Sequence, residues 1–103
     1  MNNRVATAQA DFDRARDDYR RDKQQDIDSL DAKIASLETK ERTATGKVKA
    51  DLDAKLPAIR AERASFGADF RGLQATTAAS WDDAKARVDK EWEDLKGAVN
   101  DAS

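Results

Sequence analysis

Apolar residues recur at alternating steps of three and four along nearly the whole chain of 103 residues. Such steps place side chains on one face of an α-helix, and no other regular structure does so. The intervening residues are mostly charged, Ala, Gln or Thr. The pattern therefore predicts an all-α fold of long amphipathic helices. The helix–helix association face that we expect consists of Phe12, Tyr19, Ile27, Leu30, Ile34, Leu37, Val48, Leu52, Ile59, Phe66, Phe70, Leu73, Trp81, Val88, Trp92, Leu95 and Val99.

Local signals divide this stripe into three helices within one helical domain, residues 1–103. The first helix is predicted over about residues 3–42, with a turn over 43–46. The second is predicted over about residues 47–76 and the third over about residues 81–100. We expect an antiparallel helical hairpin or coiled coil, extended by the third helix to a three-helix arrangement.

The turn and a kink are predicted from individual residues. Gly46 accepts the left-handed conformation that ends a helix, and Thr45 is a suitable N-cap for the next one. Pro57 removes an amide donor and clashes with the carbonyl four residues back, so we expect a kink near Asp53. Gly67 weakens the second helix further.

The third helix has a clear start signal. Ser80 followed by Asp83 is a variant of the capping box, and Asp82 and Asp83 oppose the positive end of the helix dipole. However, the stripe keeps its phase across this boundary. One bent rod formed by helices two and three is the alternative.

Two features concern packing along the first helix. Lys23 places a charge on the apolar face between Tyr19 and Ile27, where the spacing resembles a stutter. An antiparallel fold at Gly46 brings Phe66 and Phe70 near residues in the twenties, so we expect Tyr19 and Phe12 to be their partners.

Composition removes most catalytic chemistry. The chain has neither Cys nor His, which excludes disulfides, thiolate nucleophiles, the usual structural zinc sites and an imidazole base. Carboxylates are abundant, but the run from Asp26 to Asp31 lacks the Gly and the final Glu of a calcium loop. We therefore expect no enzyme, no cofactor and no metal site.

Charge limits the classes of partner. Charged residues make up 39% of the chain, yet the net charge is only −2 and no concentrated basic face suggests nucleic-acid binding. Trp81 and Trp92 are eleven residues apart and share a helix face. We expect both to pack in a core or interface. The alternative is that they insert into a lipid headgroup layer.

Four short sequences are distinctive: IDSLDAKI (27–34), TATGK (43–47), WDDAK (81–85) and WEDLK (92–96). With them, the chain resembles a group of uncharacterised bacterial coiled-coil proteins, some loosely described as stress-related, over about four-fifths of its length. The repeated Trp-acidic-acidic element is the most specific part of the resemblance. The resemblance implies a helical architecture and no particular activity, and Pro57 departs from the pattern.

These observations favour a non-enzymatic structural or scaffolding protein that acts through helix–helix association and self-assembly. Its expected partners are further copies of itself or another helical protein. The alternative is an amphipathic protein that coats a lipid or other hydrophobic surface. No apolar run reaches the roughly 20 residues that span a bilayer, and the N-terminus lacks the apolar core of a signal peptide, so we expect a soluble chain.

Overall fold

The computed structural model describes the backbone of residues 2–103 and the side chains of residues 7–103. It contains three α-helices, α1 (Asn2–Thr43), α2 (Gly46–Gly72) and α3 (Trp81–Ala102), with a short 3-10 helix, Leu73–Ala75, after α2. The helices pack against one another, and no strand is present between residues 2 and 103. The predicted all-α, three-helix fold is confirmed.

A short turn reverses the chain between α1 and α2. Gly46 has φ +64°, a left-handed conformation that glycine adopts without a steric penalty. Thr45 stands at the N-cap in an extended conformation, but its side chain makes no capping hydrogen bond. The left-handed glycine therefore makes the turn, without the side-chain cap that the sequence suggested.

Pro57 lies inside α2, and the helix is continuous through it. Its ring removes the hydrogen bond that the Asp53 carbonyl would otherwise accept. Both residues are exposed, so that carbonyl lies on the solvent side of the helix. A break at this position is excluded, while the kink near Asp53 stays a prediction.

The boundary between α2 and α3 differs from two expectations. Residues 76–80 are not helical, so the bent rod joining helices two and three is wrong. Ser80 precedes α3 but makes no side-chain cap. Its hydroxyl instead lies 3.1 Å from the Thr77 hydroxyl, so the predicted capping box does not form. Asp82 and Asp83 do lie in the first turn of α3, as the dipole argument requires.

Ion pairs between the helices show the direction of each. Arg60 of α2 is 3.8 Å from both Glu38 and Glu41 near the end of α1, so α1 and α2 are antiparallel. Lys55 of α2 is 3.4 Å from Asp101 near the end of α3, so α2 and α3 are antiparallel as well. It follows that α1 and α3 run in the same direction, with α2 between them in the chain.

One apolar core runs along the bundle, and no polar or charged residue is buried in its described part. The molecule is a rod with dimensions of 68 × 19 × 16 Å. Most residues of the predicted apolar stripe are therefore buried within a single chain. The buried core residues are Ile27, Leu30, Ile34, Leu37, Leu52, Leu56, Ile59, Phe66, Phe70, Leu73, Val88, Trp92, Leu95 and Val99.

The first helix is longer than the other two. Its 42 residues correspond to about 63 Å at 1.5 Å per residue, against about 40 Å for the 27 residues of α2. Phe12 contacts Trp81, the first residue of α3, which marks the end of the three-helix region. Residues 7–11 lie beyond it and are exposed. We call residues 7–11 the overhang of α1. The predicted stripe position Val5 lies outside the described side chains.

Candidate functional site

An aromatic cluster joins the N-terminal half of α1 to the start of α3. The ring of Trp81 meets Phe12 at 5.8 Å and Tyr19 at 5.5 Å between centroids, both in edge-to-face geometry. All three side chains are partly buried. The predicted pairing of Phe12 and Tyr19 with Phe66 and Phe70 is therefore wrong. Phe66 instead packs on Phe70 and Trp92.

Lys23 is the charged residue that interrupts the apolar stripe, and its contacts explain how a charge is accommodated there. The side chain is 14% exposed, and its ammonium lies 3.8 Å from a carboxylate oxygen of Asp89 on α3. The same ammonium lies over the rings of Trp92 at 5.2 Å and Tyr19 at 5.6 Å. The stem of Lys23 thus lies along the core while its charge is held by a carboxylate and two π faces.

Tyr19 completes this contact between α1 and α3. Its hydroxyl donates a hydrogen bond to the Asp89 carboxylate. Burial, together with this hydrogen bond and the negative charge of Asp89, raises the pKa of Tyr19 well above its usual value. The phenol therefore remains a protonated donor, suited to fixing two helices and unsuited to acting as a base.

Arginine side chains attach α1 to its two neighbours. Arg16 donates a hydrogen bond to the Thr76 carbonyl at 3.5 Å, next to the 3-10 helix. Further along α1, Asp31 accepts two hydrogen bonds from Arg63 of α2, at 2.7 and 3.1 Å. A Cβ at Gly67 would lie 2.7 Å from the Arg63 guanidinium, so glycine leaves the space through which Arg63 passes. Gly67 therefore makes room for an interhelical ion pair, in addition to the expected weakening of the helix.

The acidic residues of the described range are spread along the three helices. Among the described residues, no group of three carboxylates is placed to hold a metal ion. The run from Asp26 to Asp31 is continuous helix within α1, and Asp28 accepts a hydrogen bond from Gln24. A helical backbone cannot wrap around calcium as a binding loop does.

The structure places the predicted association face in three environments. Most of its residues are buried in the core described above. Phe12, Tyr19 and Trp81 are partly buried at the end of the bundle. Val48 is 47% exposed, and it is the exposed large apolar side chain within residues 7–103. The core residue Leu56 lies on the apolar stripe but was not among the residues of the predicted association face.

No protein-family model matches this chain, and neither a curated protein nor a solved structure resembles it significantly. None of the helices in the described range has an apolar stretch long enough to cross a membrane.

Proposed function

We propose that this protein is a non-enzymatic structural or scaffolding module that acts through helix–helix association, including association between its own copies. The observation that carries the proposal is the length of α1, which continues past the bundle as the overhang, residues 7–11. The sequence resemblance to bacterial coiled-coil proteins is compatible with this proposal, because it implies a helical architecture.

The side chains of the overhang are exposed, so no other helix of the described residues covers them. Ala8 continues the apolar stripe at a four-residue step from Phe12, and it is exposed. A helix end that packs against nothing is stabilised only by its own hydrogen bonds, whereas most helical stability in proteins comes from tertiary contacts. A second helix laid along the Ala8 face would provide that contact and would also cover the exposed part of Phe12.

A second copy of the chain is the simplest such helix. Two overhangs placed antiparallel bring the Ala8 face of each against the other, and the small side chain allows the two backbones a close approach. A contact between segments this short buries well under the roughly 1,000 Å² of a stable interface. The association is therefore weak and depends on concentration.

Sedimentation velocity over a range of concentrations tests self-association. We expect the mass of the wild-type protein to rise above 11.4 kDa at high concentration. Ala8→Glu should shift this rise to higher concentration, because it places a charge in the contact. The matched control is Ala50→Glu, an exposed alanine on α2, which should behave as wild type. A wild-type protein that stays monomeric at every concentration contradicts self-assembly.

The aromatic cluster supports a second candidate, an amphipathic protein that coats a lipid surface. Cations lie over two of its rings, Arg16 at 5.5 Å from Phe12 and Lys85 at 5.3 Å from Tyr19. Partly buried aromatic rings bordered by basic side chains are typical of segments that enter a headgroup layer.

Tryptophan emission in a Trp92→Phe variant tests this second candidate, because Trp81 is then the only tryptophan. If the cluster enters lipid, vesicles of anionic phosphatidylglycerol should shift the emission to the blue, and high salt should reduce the shift. Neutral phosphatidylcholine vesicles are the comparison. Emission that does not change with either lipid contradicts a lipid coat, and the scaffolding function then remains as the proposal.

A further inference from the structure

The grooves between the three helices differ in the sign of their charges. In the groove between α1 and α2, cations pair with carboxylates across the helices. Arg60 is 3.8 Å from both Glu38 and Glu41. Arg63 is 2.7 Å from Asp31. In the middle of each of the two grooves that flank α3, one sign of charge prevails, and no such pair compensates it.

The groove between α2 and α3 is acidic in its middle. An open cavity of about 320 Å³ lies there, lined by Glu62 of α2 and by Glu91 and Asp94 of α3. None of these three carboxyl groups forms an ion pair with the described residues. Oε2 of Glu91 is enclosed by protein, and no donor of the described residues reaches it. Arg87 lines the next cavity between the same helices and borders this stretch. We call Glu62, Glu91 and Asp94 the acidic face.

The groove between α1 and α3 is basic. Two cavities, of about 250 and 420 Å³, share Lys33, and Lys96 lines the first while Lys40 lines the second. Lys33 and Lys40 form no ion pair with the described residues, and Lys96 pairs with Glu93 of its own helix at 3.2 Å. Against these cations stands the carboxylate of Asp26, which lines the first cavity. We call Lys33, Lys40 and Lys96 the basic face.

The two faces lie on opposite flanks of α3. Successive residues advance by about 100° around a helix, so Glu91 and Asp94 lie on one side of the buried line of α3 and Lys96 on the other. The cavities agree with this, because Glu91 and Asp94 face α2 whereas Lys96 faces α1. One copy therefore cannot bring its own two faces together, but two copies lying side by side can.

We propose that the basic face of one copy binds the acidic face of a second copy, so that the bundles associate side by side through complementary charges. This inference rests on the proposed self-association and assigns surfaces to it. The contact is separate from the contact between overhangs, because neither face includes a residue of the overhang.

Lysine is well suited to this contact. Its long stem can extend from one groove into the next, and its ammonium group carries three donors. An ammonium that enters the acidic cavity supplies the hydrogen bond that Oε2 of Glu91 lacks within its own chain. Ala61 and Ser65 line the same cavity, and their small side chains leave room for the incoming stem.

A contact between unlike faces has two consequences. It is heterologous, so each copy in a pair keeps one free face, and assembly continues beyond two copies unless a ring closes. Exposed ion pairs are individually weak and are screened by salt. We therefore expect a weak association that salt weakens further, whereas a contact between alanines of two overhangs gains nothing from low salt.

Sedimentation velocity of the wild-type chain at low and high salt is the first test. It is run at about pH 8, where carboxyl groups are ionised. This pH also lies above the pKa of Glu91, which burial raises to about 7. We expect a mass above 11.4 kDa at low salt. The mass should fall toward that of one chain between about 0.01 M and about 1 M salt, as the Debye length shortens from about 30 Å to about 3 Å.

Two charge-reversed variants provide the second test. Lys33→Glu/Lys40→Glu makes the basic face acidic, and Glu62→Lys/Asp94→Lys makes the acidic face basic. Each variant alone should associate on the order of tenfold more weakly than wild type, because like charges then meet. An equimolar mixture should restore association, because each variant carries the face that the other has lost. Lys47→Glu, at an exposed lysine outside both faces, is the control and should behave as wild type.

The outcomes distinguish this contact from the contact between overhangs. Ala8→Glu should leave the salt dependence unchanged. Association that Ala8→Glu weakens, but that salt and both double variants leave unchanged, would support the overhang contact and overturn the charged contact. A wild-type chain that is monomeric at low salt, or folded variants whose mixture does not associate, would also overturn it. Should a double variant fail to fold, Lys33→Glu mixed with Asp94→Lys applies the same test with single changes.

Discussion

Replacing Trp92 by alanine is expected to lower the free energy of unfolding by about 3–5 kcal/mol, the range for large-to-small changes in a core. Trp92 is 7% exposed, and its ring packs on Phe66 at 5.4 Å between centroids. Its loss also removes one of the two π faces that hold the Lys23 ammonium. The variant therefore leaves a cavity and a poorly compensated charge at the same place.

Trp81→Ala is the matched control for this prediction. Trp81 is partly buried at the end of the bundle, where the surrounding structure closes more easily over a deletion. We expect a clearly smaller loss than for Trp92→Ala, measured by urea unfolding with far-ultraviolet circular dichroism. Equal, small losses in both variants would show that Trp92 is not a core residue and would favour a surface role for both tryptophans.

Helical periodicity predicted which residues enter the core but not where the core ends. Val48 and Leu52 follow the same spacing, yet Leu52 is buried and Val48 is exposed. The reason is the position of α3, whose last turn reaches Lys55 through Asp101. Val48 lies two helical turns before Lys55, past the end of α3. At this level only α1 and α2 lie side by side. The relative lengths and shifts of packed helices are a tertiary property, which local spacing does not contain.

The contacts between α1 and α3 were missed for a related reason. Tyr19 and Asp89 are 70 residues apart, and no local signal connects them. Once a two-helix hairpin is assumed, the aromatic residues of α2 are the natural partners of Tyr19. Trp81 contacts Tyr19 only because α3 packs alongside α1. The charge of Lys23 on the apolar face was the one available sign that a polar partner existed.

The predicted Ser80 cap failed because a competing hydrogen bond is available nearby. Ser80 had the expected spacing to Asp83, but its hydroxyl reaches Thr77 within the preceding turn. Serine and threonine side chains readily bond to neighbouring backbone groups and hydroxyls, which competes with capping. The helix still begins at the predicted residue, Trp81.

Phe66→Ala is expected to cost a similar 3–5 kcal/mol of unfolding free energy. Phe66 is 1% exposed and stands between two aromatic rings, Phe70 of its own helix and Trp92 of α3. Its removal opens a cavity between α2 and α3, and that cavity cannot be filled by moving one side chain, because neighbours on both sides are fixed by the core. Denaturant unfolding measures the loss directly.

The double variant Phe66→Ala/Trp92→Ala separates ring contact from simple burial. We expect its loss to be smaller than the sum of the single losses by about 0.5–1.5 kcal/mol, the range for an aromatic pair. Val48→Ala is the control, because this exposed side chain should change stability by less than about 0.5 kcal/mol. If Val48→Ala costs as much as Phe66→Ala, α2 presents a different face to the core. If the two aromatic losses are strictly additive, Phe66 and Trp92 do not share a contact, and the way α3 packs on α2 must differ.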